Sequence, residues 1–231
     1  MTASFRAGNR LIAALDAPTR TAADDLIGRL GGVPSWVKLG LELFCAEGPA
    51  LVTDYVGRGF SVMLDLKLHD IPETVSRATA RVAQLGAGLL TVHAGGGRAM
   101  LDAAVAAAGP TRVLAVTVLT SLDEADLAQI GAIGPIADLV RRRAELAIAA
   151  GCAGVVASPH EVSTIRKIAP PEFLIVTPGV RPAGAATGDQ KRVMTPRQAR
   201  DAGADLIVVG RPLRDASDPA AAARAIVSEL V

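Results

Sequence analysis

Between positions 63 and 70 the chain reads Met-Leu-Asp-Leu-Lys-Leu-His-Asp. Asp65 and Lys67 stand two apart, with leucines at 64, 66 and 68. On a strand, side chains two apart share a face, so this spacing sets a carboxylate beside an ammonium and turns the leucines the other way. Unpaired charges in so apolar a run would cost several kcal/mol each, so the two must pair. Lys38, in a neighbouring apolar run, can reach them. An ammonium held in this way can stabilise a developing negative charge and then deliver a proton. The competing reading is a structural ion-pair plug.

Other polar residues fall at the ends of apolar runs. Asp16 ends the first, Thr120-Ser121 the fifth, and Ser158 the sixth. Pro178-Gly179 and Gly210-Arg211 end the last two. Those last two ends offer backbone N–H groups and a guanidinium fork, a combination suited to phosphate. The segment 179–194, GVRPAGAATGDQKRVM, is long, Gly-rich and polar, and carries Arg181 and Gln190. It reads as a lid or as a tolerated surface insertion. Asp70-Ile71-Pro72-Glu73 matches a helix capping box, so Asp70 is a cap or a catalytic group. His93 ends an apolar run and reads as a structural histidine. His69 lies near Asp65 and Asp70, but without the spacing of a metal motif, so no metal is expected.

The elements that must position these residues follow a repeating pattern. Short apolar runs rich in β-formers occupy 11–15, 36–39, 60–66, 89–93, 113–119, 154–157, 173–177 and 206–209. Stretches with helical spacing lie between them, at 21–30, 42–56, 72–85, 98–108, 136–150 and 219–230 among others. Near-continuous apolar strands imply a sheet buried on both faces, hence parallel strands under a layer of helices. Eight such units predict a (β/α)₈ barrel, one domain over residues 1–231. The first turn, Leu15-Asp16-Ala17-Pro18, lacks the GxGxxG of an open dinucleotide-binding sheet. In a barrel, chemistry gathers at the C-terminal strand ends, where the polar residues above lie.

Composition narrows the function classes. The 231 residues carry a net charge of +1 and only 3% aromatics, which argues against nucleic-acid coating and base-stacking platforms. Half the residues are hydrophobic, enough for a large core. Cys45 and Cys152 belong to no CxxC or Cys/His cluster and read as small core hydrophobes in a reducing compartment. No apolar stretch is long enough to span a bilayer. Only five apolar residues separate Arg10 from Asp16, too few for a signal-peptide core. The expectation is a soluble, cytoplasmic protein.

The motifs together resemble the orotidine 5′-phosphate decarboxylase family. The resemblance rests on Ala14-Leu15-Asp16, Lys38-Leu39-Gly40, Val92-His93-Ala94 and, above all, Asp65-Leu66-Lys67-Leu68-His69-Asp70-Ile71-Pro72-Glu73-Thr74. It continues through Thr117-Val118-Leu119-Thr120-Ser121, Thr177-Pro178-Gly179-Val180-Arg181-Pro182, Gly188-Asp189-Gln190 and Val209-Gly210-Arg211-Pro212. These segments span nearly the whole chain. A bare DxKxxD would be less specific, because related sugar-phosphate barrels share it.

The resemblance implies a cofactor-free decarboxylase converting orotidine 5′-phosphate (OMP) to UMP in pyrimidine biosynthesis, built as a homodimer. Lys38, Asp65 and Lys67 would be three members of a charged array, with Lys67 protonating C6. Asp70 would be the fourth, entering the partner's site with Ile71 and Thr74. Asp16 and Lys38 would contact the ribose, and Thr120 the pyrimidine, with Pro178 also against the substrate. Arg181, Gln190, Gly210 and Arg211 would grip the phosphate.

Overall fold

The structure is a computed structural model that describes residues 10–132, 134–181 and 194–231. Eight parallel strands close into a barrel in sequence order. They are β1 (Leu11–Ala14), β2 (Trp36–Gly40), β3 (Ser61–Leu68), β4 (Leu89–His93), β5 (Arg112–Val116), β6 (Gly154–Val156), β7 (Leu174–Pro178) and β8 (Leu206–Val209). Around them run α1 (Arg20–Arg29), α2 (Leu41–Glu47), α3 (Pro49–Gly57), α4 (Pro72–Gln84), α5 (Gly97–Ala107) and α6 (Glu124–Gln129). The outer layer continues with α7 (Ile136–Ala149), α8 (Val162–Arg166), α9 (Pro196–Asp201), α10 (Arg211–Arg214) and α11 (Pro219–Glu229). No helix among the described residues is long and apolar enough to cross a membrane.

Strand alternation divides the core in two. Ile12, Trp36, Met63, Leu89, Leu114, Leu174 and Leu206 point inward and fill the barrel. Their neighbours Leu11, Val37, Leu64, Leu90, Val113, Ile175 and Ile207 point outward and pack beneath the helices. The same alternation carries Lys38 inward from Trp36, Asp65 inward from Met63 and Thr91 inward from Leu89. Pairing of Lys38 with Met63 and of Gly40 with Asp65 sets the charged residues at adjacent heights.

One irregularity interrupts the ladder. β3 pairs Leu64 with Leu90 but Leu68 with Val92, so four steps on β3 face two on β4. Lys67 lies in that excess and takes φ +48°, the one positive φ of a non-glycine residue among the described residues. Left-handed backbone is strained for a side chain of this kind.

The floor of the barrel, at the N-terminal strand ends, is tied by Arg166. Its guanidinium donates to the carbonyls of Phe173 (2.9 Å) and Gly203 (2.8 Å) and to Asp205 Oδ2 (2.5 Å). Asp205 Oδ2 also accepts the Ile175 N–H at 2.8 Å, joining the starts of β7 and β8.

Several boundaries differ from the sequence expectation. The run 42–56 is two helices, because Gly48 takes φ +73° and Pro49 starts a new first turn. β5 stops at Val116 rather than 119, since its neighbour β6 has only three residues to pair with. Helix α6 follows a capping box between Asp123 and Asp126 that the hydrophobic pattern did not reveal. Cys152 is buried, but Cys45 is exposed, not core. It stands on α2, a helix of seven residues that buries only Leu43.

Candidate active site

At the C-terminal end of the barrel, four side chains alternate in sign. Lys67 Nζ donates to both Asp65 oxygens, at 2.9 and 3.0 Å. Lys38 Nζ stands 3.6 Å from Asp65 Oδ2 and donates to Asp16 Oδ1 at 3.0 Å. Lys38 and Asp65 are buried, whereas Lys67 keeps about a third of its side-chain surface open. Burial alone would raise the Asp65 pKa. The charges of Lys38 and Lys67, with hydrogen bonds from Lys67 and Thr91, outweigh it and hold the carboxyl below its ordinary range. Asp65 is therefore an anion at neutral pH.

Thr91 completes this cluster and was not anticipated from the sequence. Its hydroxyl donates to Asp65 Oδ1 at 2.8 Å and accepts the Lys67 backbone N–H at 2.9 Å. A threonine in an apolar β-run carries no distinguishing signal, and the β3–β4 slip that brings it to Lys67 leaves no mark on the alternation.

Two cavities share Lys38, Asp65 and Lys67 as a common wall. One is lined mainly by apolar groups, including Met63, Val116, Val156 and Val208, with Thr120 and Pro178. The other is more polar and includes Asp16, Gly40 and Glu42. The apolar one suits a flat ring, and the polar one a hydroxylated moiety. Gly40 lines the second, and Gly210 packs close against Asp16. A Cβ on Gly40 would lie 3.1 Å from Lys38 Nζ, and one on Gly210 would lie 3.1 Å from Asp16 Oδ2.

Gly210 follows β8 and caps α10, which Arg211 opens. Arg181 is buried, and its N–H donates to the Met194 carbonyl at 2.9 Å. Val180 bridges Met194, so the two ends of the segment after β7 meet in a neck. Gln190 lies outside the described residues. Asp215 is held below the ordinary carboxylate range, first by its hydrogen bond from Arg214 and then by charges that include Arg211 and Arg181.

Asp70 is not a cap. Pro72 confines the preceding residue to extended backbone, and Ile71 takes the N-cap position at φ −58°, ψ 151° without a side-chain cap bond. Asp70 stands one place further out and, among the described residues, accepts only the Ile71 N–H, at 2.6 Å. The chain does not bring it to Lys67; among the described residues it makes no ion pair within 4 Å. Asp70, Ile71 and Thr74 are all exposed, Ile71 at 66%.

His93 fits a structural role. Its ring stacks on His69 with centroids 5.1 Å apart, and Nδ1 accepts the Gly95 N–H at 3.2 Å. Burial first, then the charges of Arg143, His69 and Lys67, push its pKa down to about 4. It is neutral at physiological pH.

Comparison with known proteins gives a consistent result. A profile of the Orotidine 5′-phosphate decarboxylase / HUMPS family matches residues 9–226. The orotidine 5′-phosphate decarboxylase of Anaeromyxobacter sp. (strain K) is 57% identical over 227 residues, covering 98% of this chain and 100% of that protein. That of Thermobifida fusca is 52% identical over 218 residues, covering 94% of each. The crystal structure of orotidine 5′-phosphate decarboxylase from Lactobacillus acidophilus superposes with a TM-score of 0.85 at 36% identity, covering 96% of this chain and 99% of that one.

Proposed function

Since this chain belongs to the orotidine 5′-phosphate decarboxylase / HUMPS family, we propose that its charged array is the machinery that decarboxylates OMP. The activity is conversion of OMP to UMP and CO₂, in pyrimidine biosynthesis (EC 4.1.1.23). The observation that carries the mechanistic reading is the Lys67 ammonium, clamped on Asp65 yet open to the cavity.

Loss of CO₂ breaks the bond at C6 and leaves the electron pair on that carbon. The pair occupies an in-plane orbital with little delocalisation into the ring, so the protein must stabilise it electrostatically. Lys67 faces that carbon, stabilises the carbanion, and transfers a proton to C6 as general acid. The resulting neutral amine regains its proton from solvent. Asp65 holds Lys67 Nζ aimed. It also stands where the substrate carboxylate must sit, a repulsion that departing CO₂ relieves. The pyrimidine lies against Thr120 and Pro178, and the ribose hydroxyls reach Asp16 and Lys38. The phosphate is held by Arg181, Gln190, Gly210 and Arg211. Its binding energy, remote from C6, is available to drive the site into its charged geometry.

The working unit in this reading is a homodimer. Support comes from the exposed Asp70, Ile71 and Thr74 beside the mouth, and from Leu41, also exposed. Asp70 enters the partner's site as the fourth charge, with Ile71 and Thr74 beside it. A cytoplasmic location suits an enzyme of nucleotide synthesis with two free cysteines.

The test is consumption of OMP by purified protein in excess EDTA, followed by ultraviolet absorbance with UMP identified as product. Turnover in chelator is expected. Folded protein that binds UMP but leaves OMP intact would overturn the reading.

A further inference from the structure

The array poses a positioning problem that its charges do not solve. Lys67 must reach the cavity from a left-handed backbone at φ +48°, a conformation lysine does not prefer. Over the same stretch β3 runs four residues against two of β4, so the regular ladder cannot take up the Lys67 N–H. Two requirements follow. Something on β4 must accept that N–H, and something must fix the Asp65 carboxylate in the rotamer that lies under Nζ.

One hydroxyl meets both requirements. Thr91 Oγ1 accepts the Lys67 N–H at 2.9 Å and donates to Asp65 Oδ1 at 2.8 Å. Thr91 is fully buried, and its inward direction is fixed by the alternation of β4 between Leu89 and Val92. The hydroxyl's one proton is committed to the carboxylate, so its lone pairs are free to face the amide. The donor–acceptor sense is thereby locked. Asp65, Lys67 and Thr91 form a closed ring: carboxylate, β3 backbone, amide, hydroxyl, carboxylate.

We propose that Thr91 is a positioning residue for the decarboxylation, holding the left-handed Lys67 backbone and the Asp65 carboxylate in one rigid unit. It touches no reacting atom. It acts through where Lys67 Nζ and Asp65 stand relative to C6, and so on the chemical step. The inference rests on the mechanistic reading above. UMP lacks the C6 carboxylate, so its binding makes no demand on that precision.

The test compares Thr91→Val, Thr91→Ser and wild type. Valine keeps the shape and removes both hydrogen bonds, while serine keeps the hydroxyl. The expected result for Thr91→Val is a loss in kcat on the order of 10- to 100-fold, with UMP affinity within about threefold of wild type. Thr91→Ser is expected to recover kcat to within about fivefold. If Thr91→Val does not fold, Thr91→Ala against Thr91→Ser gives the same comparison. The proposal is overturned if the hydroxyl-free variant keeps kcat within about threefold. It is equally overturned if UMP affinity falls in step with kcat, or if serine is no better than valine, because packing alone would then explain the effect. Wild-type protein that leaves OMP intact removes the mechanistic reading and this inference together. Wild-type turnover with an unimpaired Thr91→Val removes the inference alone.

Discussion

Lys67 Nζ sits astride the Asp65 carboxylate, 2.9 Å from one oxygen and 3.0 Å from the other. The contact joins residues only two apart on one strand, so local backbone geometry decides whether it forms. That geometry includes the strained φ of Lys67. Function and strain are therefore separable by substitution at a single position.

Lys67→Ala and Lys67→Gly both remove the ammonium and should each lower kcat by at least about 10³-fold, while UMP still binds. Their stabilities should differ. Glycine adopts φ +48° freely and alanine does not, so the glycine variant should be the more stable by about 1 kcal/mol, or about 2–4 °C in Tm. Calorimetry on the pair checks this. Equal melting temperatures would show that the backbone relaxes at no cost.

Asp65 gives a pH signature. Its carboxyl is held below the ordinary value of 3.8 despite burial, by the charges of Lys38 and Lys67 and the hydrogen bonds of Lys67 and Thr91. A carboxyl whose pKa is depressed in the folded state stabilises the fold above its unfolded value, and that contribution fades as pH falls through the folded one. Asp65→Asn should therefore be less stable than wild type at neutral pH. The gap should narrow as pH drops below 3.8. Urea denaturation across that range reads the difference, and a gap independent of pH would refute the assignment.

Arg211→Ala should weaken UMP by about 10- to 100-fold and leave uridine within about twofold, because only the phosphate needs the guanidinium fork. Titration calorimetry with both ligands decides. An equal loss for uridine would place Arg211 elsewhere in recognition.

Asp70 lies exposed and away from Lys67 in its own chain. If it serves the partner's site, Asp70→Ala and Lys67→Ala chains are each inactive, yet a hybrid dimer rebuilds one complete site. An equal mixture that exchanges freely should recover about a quarter of wild-type activity. No recovery with exchange demonstrated would rule out a shared site.

The parts of this molecule legible in its sequence are those that obey a period. Lys38 and Asp65 stand on strands whose alternation fixes their face, and Lys67 meets Asp65 from a left-handed backbone that the alternation does not show. The barrel itself follows from eight apolar runs. What escaped depends on pairing between distant segments. Thr91 matters only because β3 slips two residues against β4, and neither strand announces the slip. The end of β5 was set by the shortness of β6. One misreading and one open choice were local and had visible signals. Gly48-Pro49 marks the break between α2 and α3, and Pro72 moves the cap from Asp70 to Ile71.

The Arg166–Asp205 tie lies at the floor, on the opposite side of the barrel from the charged array. It shares no residue with the mouth and closes the starts of β7 and β8 whatever the strands carry at their other ends. Such an arrangement gives a lineage two nearly independent accounts of fitness. Changes at the mouth are judged by chemistry and changes at the floor by folding, so a gene copy freed from nucleotide synthesis could drift toward a new substrate while still inheriting a barrel that closes.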